Sequence, residues 1–105
     1  MIRVEFCPPY SMRVEGHAGY APRGQDIICA GASALYGALV SALYAAEKSG
    51  KGALKIEEDE HYIVFKPASN EEEIATIFDT VWQGYLLLAG KYGDYLVAIK
   101  EEDQD

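Results

Sequence analysis

The sequence has few of the residues that build disulfide frameworks or metal centres, with two cysteines and two histidines among 105 residues. No Cys-x-x-Cys or His-x-x-x-His spacing occurs, so the pattern does not support a zinc site. Positions 1–6 alternate charged and apolar residues and lack the apolar core of a signal peptide. We therefore expect a cytoplasmic protein with reduced thiols and no bound metal.

Basic residues are also scarce, because nine lysines and arginines face seventeen aspartates and glutamates, for a net charge of −8. Phosphate binding needs a basic surface, so this balance argues against direct contact with nucleic acid. An acidic surface suits a cationic peptide or protein, although many proteins are acidic without such a partner.

Long hydrophobic runs are absent, since no stretch reaches the roughly 18 uninterrupted apolar residues of a membrane span. The longest apolar-rich run, residues 27–46, contains serines and glycines and is followed by Glu47 and Lys48. We interpret it as a buried helix and expect no membrane partner. Half of the residues are hydrophobic, which predicts one domain over residues 1–100 and a frayed acidic tail over residues 101–105.

Hydrophobic periodicity indicates the element order β-β-α-β-β-α-β. Alternating apolar residues predict strands around positions 2–6, 12–14, 54–56, 63–65 and 95–99. A 3.6-residue stripe follows Asp26, and a second follows a Ser69-x-x-Glu72 capping box. Hairpins separated by single long helices predict an α+β layered sandwich, with one mixed sheet and two long helices.

One histidine and one cysteine, twelve positions apart, offer nucleophilic chemistry. If Asp26 caps the first helix, Cys29 lies in its first turn, where the helix dipole favours a thiolate. The backbone N–H groups of Cys29 and Ala30 are then candidates for an oxyanion hole. His17 could accept the thiol proton and later protonate a leaving amine.

The backbone around His17 is rich in glycine. Gly16 and Gly19 bracket the histidine and allow backbone angles that other residues avoid. If the second strand continues, His17 shares its polar face with Arg13 and Glu15.

The loop after His17, which contains Gly19, Tyr20 and Gly24, is predicted to be mobile and to close over a peptide substrate. Asp26 could orient the imidazole as the third member of a triad, or it could only cap the helix. Ser33 lies one helical turn after Cys29, where it could touch the sulfur or simply pack.

The spacing alone leaves two functions open. Buried cysteines are usually inert, so Cys29 could instead be a packing residue of a non-catalytic acidic module that binds a cationic protein. We interpret Cys7, at a strand end before two prolines, as structural, and His61, after an acidic turn, as an exposed residue.

Three segments, residues 16–21, 24–30 and 33–35, resemble the ribosomal-processing cysteine protease Prp family, also called YsxB-like. The predicted element order is compatible with that family over essentially the whole chain. Tyr92-Gly93 departs from the family pattern, where Tyr-Pro is expected.

The resemblance implies a cysteine endopeptidase that removes a short hydrophobic N-terminal extension from large-subunit ribosomal protein twenty-seven, a basic protein. It assigns Cys29 as the nucleophile and His17 as the general base, with Asp26, Ser33 and Gly16 in supporting positions. It also implies a homodimer without cofactors. Against such a substrate, the negative charge would steer a cationic partner. The alternative function is a non-catalytic acidic module that binds a basic ribosomal protein or assembly factor.

Overall fold

The computed structural model describes residues 1–22, 24–57 and 61–101. Its elements confirm the predicted order, and their bounds are β1 Ile2–Cys7, β2 Ser11–Glu15, α1 Ile27–Lys48, β3 Gly52–Glu57, β4 Tyr62–Pro67, α2 Glu71–Lys91 and β5 Leu96–Lys100. The acidic turn over residues 58–60 and the tail over residues 102–105 lie outside the described residues. Glu101, assigned by sequence to the tail, donates its backbone N–H to the carbonyl of Phe6.

The five strands form one mixed sheet in the order β3-β4-β2-β1-β5. β1 pairs antiparallel with β2 and parallel with β5, and the remaining pairs are antiparallel. Because β1 and β2 form an antiparallel hairpin, the start of β1 and the end of β2 lie side by side at the same end of the strands, with Arg3 opposite Glu15. Gly16 and His17 follow the end of β2 directly.

Both helices bury an apolar stripe against the core. Phe6 of β1, an inner strand of the sheet, stacks on Phe78 and contacts Trp82, both from α2. The two helices approach closely, because a Cβ at Gly84 would overlap the side chain of Leu35 on α1. The buried helical residues are Ile28, Ala32, Leu39, Leu43 and Ala46 on α1, and Ile74, Phe78, Val81, Trp82 and Tyr85 on α2.

The start of α2 differs from the sequence prediction. The helix begins at Glu71 with Asn70 as its N-cap, and no side chain caps it, so the predicted Ser69 capping box is wrong. Three glutamates fill the first turn instead, where their negative charge interacts favourably with the helix dipole.

α1 has the length and apolar composition of a membrane-spanning helix, as the core helices of many folds also do. In the structure its apolar stripe packs in the same core cluster as the sheet and α2. Its exposed face is built largely of alanine, glycine and serine. The composition of α1 is therefore explained by packing on one side and small residues on the other.

Tyr85 joins the two helices, because its buried hydroxyl donates to the backbone carbonyl of Ala32 at 2.9 Å. We predict that Tyr85→Phe lowers the free energy of unfolding by about 1 kcal/mol, the usual contribution of such a bond. Urea denaturation measures the change, with Tyr44→Phe as the control because Tyr44 is 50% exposed. Equal stability of the two variants would contradict this role.

Candidate active site

Asp26 sets the position of Cys29 at the start of α1. Its Oδ1 accepts hydrogen bonds from the backbone N–H groups of Ile28 at 3.1 Å and Cys29 at 3.0 Å. This confirms the predicted N-cap. Cys29 consequently lies in the first helical turn, half-buried, near backbone N–H groups that favour negative charge.

The second carboxylate oxygen of Asp26 holds the preceding loop. Oδ2 accepts from the backbone N–H of Tyr20 at 3.1 Å. The backbone N–H of Cys29, more than that of Tyr20, holds the pKa of the Asp26 carboxyl below its usual range. No hydrogen bond joins Asp26 to His17 among the described residues, so in this structure the carboxylate anchors the helix and the loop.

His17 reaches the site through a turn at Gly16. β2 ends at Glu15, so the prediction that His17 continues the polar face of the strand is wrong. Gly16 has φ +93°, and a Cβ there would overlap the carbonyl oxygen of Met1. The glycine therefore allows the chain to turn beside β1, and the next residue, His17, lines a cavity together with Cys29.

Two cavities meet at Cys29, and His17 and Ser33 line both of them. The larger, about 650 Å³, is otherwise lined by Gly19, Ala21, Gly24, Asp26 and Ala30. The smaller, about 340 Å³, is otherwise lined by Ile2, Val14, Glu15, Gly16, Ala32, Tyr36 and His61. A peptide attacked by the sulfur would therefore find space on both sides of the scissile bond.

The loop after His17 is attached to the rest of the site. Ala18 is buried, and its backbone N–H donates to Cys29 Sγ at 3.3 Å. The Tyr20 ring makes edge contacts with Tyr92 and Tyr95, with ring centroids 6.1 and 5.2 Å away. Where the sequence predicted a mobile loop, the structure shows Ala18 and Tyr20 held by packing and hydrogen bonds.

The two N–H groups predicted for an oxyanion hole are engaged in this structure. The N–H of Cys29 donates to the Asp26 carboxylate, and the N–H of Ala30 donates to the Asp26 backbone carbonyl at 3.0 Å. Both bonds belong to the start of the helix. An oxyanion formed at Cys29 would therefore need another donor, or would have to displace these bonds.

Sequence reasoning missed Tyr36 and His61, which form one wall of the smaller cavity. Their rings lie edge to face, with centroids 6.4 Å apart. Helical spacing could have identified Tyr36, since it lies two turns after Cys29 on the same face. Nothing in the sequence places His61, because the pairing of β2 with β4 brings it to the site.

Cys7 has a different environment from Cys29. Its Sγ donates to Glu101 Oε2 at 3.1 Å, and burial together with this carboxylate raises the pKa of the Cys7 thiol. A raised pKa disfavours the reactive thiolate, in agreement with a structural role. Both cysteines are free, and residues 1–22, 24–57 and 61–101 contain no cluster of three metal-binding side chains.

The two oxygens of Asp26 can be tested separately. We predict that Asp26→Asn speeds hydrogen exchange at the N–H of Tyr20, because one amide oxygen can keep the helix cap while the NH₂ group cannot accept a bond. Asp26→Ala should speed exchange at both Tyr20 and Cys29. Residue-resolved NMR exchange measures these rates. Equal protection of the Tyr20 N–H in the wild type and Asp26→Asn would contradict the assignment.

Because the wild-type carboxyl has a lowered pKa, its contribution to stability is present above the unfolded-state pKa. That contribution is lost as pH falls through the lower native value. Asp26→Asn should therefore flatten the acid limb of the stability profile.

Comparison with known proteins places this geometry in a family context. A family model described as cysteine protease Prp matches residues 1–97. No curated protein sequence matches the chain significantly.

Solved structures share the fold. The ribosomal processing protease Prp of Staphylococcus aureus, with a covalently linked product peptide, superposes with a TM-score of 0.70 at 21% identity, covering 96% of this chain and 100% of that one. The structure of the same protease with a substrate peptide has a TM-score of 0.62 and 18% sequence identity, covering 96% of this chain and 100% of that one. SMU.848 from Streptococcus mutans has a TM-score of 0.67 and 26% sequence identity, covering 95% of this chain and 93% of that one.

Proposed function

This chain belongs to the cysteine protease Prp family, and on that premise we propose that it removes the N-terminal extension of large-subunit ribosomal protein twenty-seven. The observation that carries the proposal is the junction of two cavities at Cys29, with His17 lining both. The peptide complexes of the Staphylococcus aureus protease support a peptide substrate for the same fold.

In this mechanism His17 takes the proton of the Cys29 thiol, and the sulfur attacks the carbonyl carbon of the scissile bond. The C–N bond breaks when the imidazolium gives its proton to the leaving amine. A thioester between Cys29 and the extension remains. Water, deprotonated by His17, then hydrolyses the thioester and restores the thiol.

The other candidate site residues have supporting roles in this proposal. Asp26 holds the helix start, and Gly16 provides the turn that brings His17 to the sulfur. Ser33 lies in both cavities, where its hydroxyl can contact the substrate. Gly19 and Gly24 of the loop line the larger cavity, so a peptide bound there would contact this loop, which also contains Tyr20.

The charge of the chain supports a basic substrate. A net charge of −8 attracts a cationic ribosomal protein over distances of about a Debye length. We place the reaction in the cytoplasm, before ribosome assembly, and assign it no cofactor.

We predict that Cys29→Ala abolishes cleavage of the precursor, by at least about 10³-fold, because the covalent step is lost. His17→Ala should reduce the rate by a similar factor. Cys7→Ala is the matched control and should cleave normally, since its thiol lies against Glu101. The assay follows the mass of the ribosomal protein with time.

Unchanged cleavage by a folded Cys29→Ala variant would contradict the mechanism. Tight binding of the precursor without any cleavage by the wild type would instead support the non-catalytic acidic module.

We also propose that the protein is a homodimer. Leu87 is 76% exposed and Leu86 41% exposed on α2, and large exposed leucines are common at subunit interfaces. Sedimentation velocity should give twice the 11.5 kDa of the single chain. Leu87→Glu should shift the protein towards monomer, whereas Lys66→Glu, at an exposed position of β4 away from α2, should not. A wild type that stays monomeric at high concentration would contradict the proposal.

A further inference from the structure

The oxyanion of the proposed reaction needs a hydrogen-bond donor, and the structure offers one outside the helix. We propose that the backbone N–H of Ala18 is a catalytic group that donates to the substrate oxyanion. The inference rests on the proposed role of Cys29 as the nucleophile. It goes further by assigning transition-state stabilisation to the segment that also carries His17.

The position of this N–H relative to the sulfur carries the inference. It donates to Cys29 Sγ at 3.3 Å. When the sulfur bonds to a carbonyl carbon, the oxyanion is attached to the same carbon, about 3 Å or less from the sulfur. A donor already directed at the sulfur can therefore reach the oxygen by a small change of direction. The N–H groups of Cys29 and Ala30 are held in bonds to Asp26.

The segment that carries this donor is held on both sides. The Ala18 side chain is 6% exposed and belongs to the core cluster. Before it, Gly16 packs on the carbonyl of Met1, and after it, the N–H of Tyr20 is bonded to Asp26. A donor fixed before the reaction needs no reorganisation when charge develops, and such donors stabilise transition states most strongly.

The Cys29 thiolate forms a C–S bond, and the electron pair of the carbonyl π bond moves to oxygen, which accepts the hydrogen bond from Ala18. When the intermediate collapses, that electron pair returns to form the carbonyl of the thioester. The C–N bond breaks, and the proton of the His17 imidazolium goes to the leaving nitrogen.

The same hydrogen bond has two alternative roles: it could stabilise only the resting thiolate, or it could be purely structural. A thiolate-stabilising bond would affect alkylation of Cys29 as much as catalysis. An oxyanion donor acts mainly after attack, so its loss lowers kcat and weakens transition-state analogues much more than it slows alkylation. Comparing these measurements separates the three roles.

The N–H can be removed without changing a side chain. Cys29 provides a ligation junction, so residues 1–28 can be synthesised with lactate in place of Ala18, which replaces the N–H by an ester oxygen. The controls are the all-amide ligated protein and an ester at Tyr10, which lies in the β1–β2 turn outside both cavities and whose N–H has no hydrogen bond among the described residues. Circular dichroism and thermal denaturation establish that each protein folds.

We expect the ester at Ala18 to lower kcat about 10²-fold, the usual effect of losing one oxyanion donor. Affinity for a peptide aldehyde, which forms a hemithioacetal with the thiol, should fall by a similar factor. Iodoacetamide alkylation of Cys29 should change by less than about threefold. The Tyr10 ester should behave like the all-amide protein.

An equal loss in kcat and alkylation would overturn the inference in favour of thiolate stabilisation, and unchanged kcat and aldehyde affinity would exclude a catalytic role. If the ester at Ala18 does not fold, Ala18→Pro, which also lacks the N–H, is compared with Ala18→Gly by the same measurements. Failure of the all-amide protein to cleave the ribosomal precursor would count against the proposed substrate. Aldehyde binding would still decide the role of Ala18 in that case.

Discussion

The Asp26 carboxylate holds together the two segments from which the proposed active site is built. One oxygen fixes the first turn of α1 and so the position of Cys29, while the other fixes the loop through Tyr20. Between these anchors, the N–H of Ala18 meets the sulfur and His17 lines the cavities beside it. A single charged group therefore holds both Cys29, the proposed nucleophile, and the loop through Tyr20.

The rest of the fold holds this site in place through close packing. The turn at Gly16 is possible because no side chain separates it from the carbonyl of Met1 at the start of β1. Gly84 lets α2 approach α1, and the buried hydroxyl of Tyr85 then bonds to Ala32, one helical turn after Cys29. The site thus depends on contacts among the β1–β2 hairpin, α1 and α2, which are distant in sequence.

Local patterns explain what could be predicted from the sequence. The period of apolar residues identified all seven elements, and the Asp26 cap followed from residue type and position. The failures have physical causes that local patterns do not contain. The direction of His17 depends on the turn at Gly16, and His61 enters the site through strand pairing. The N–H of Ala18 is a backbone group, so no residue type in the sequence marks it. Ser69 is not the N-cap of α2 because the helix begins one residue later than predicted, after Asn70.

Direct detection of the covalent intermediate tests the central claim, that Cys29 is the nucleophile of this protease. The precursor peptide is mixed with the enzyme, the reaction is quenched in acid within one turnover, and the protein is analysed by intact and peptide-resolved mass spectrometry. We predict that the extension peptide is attached to Cys29 as a thioester that decays as product appears, and that Cys7 stays unmodified. Cleavage with the adduct on another residue would contradict it, as would cleavage with no adduct under conditions that trap thioesters.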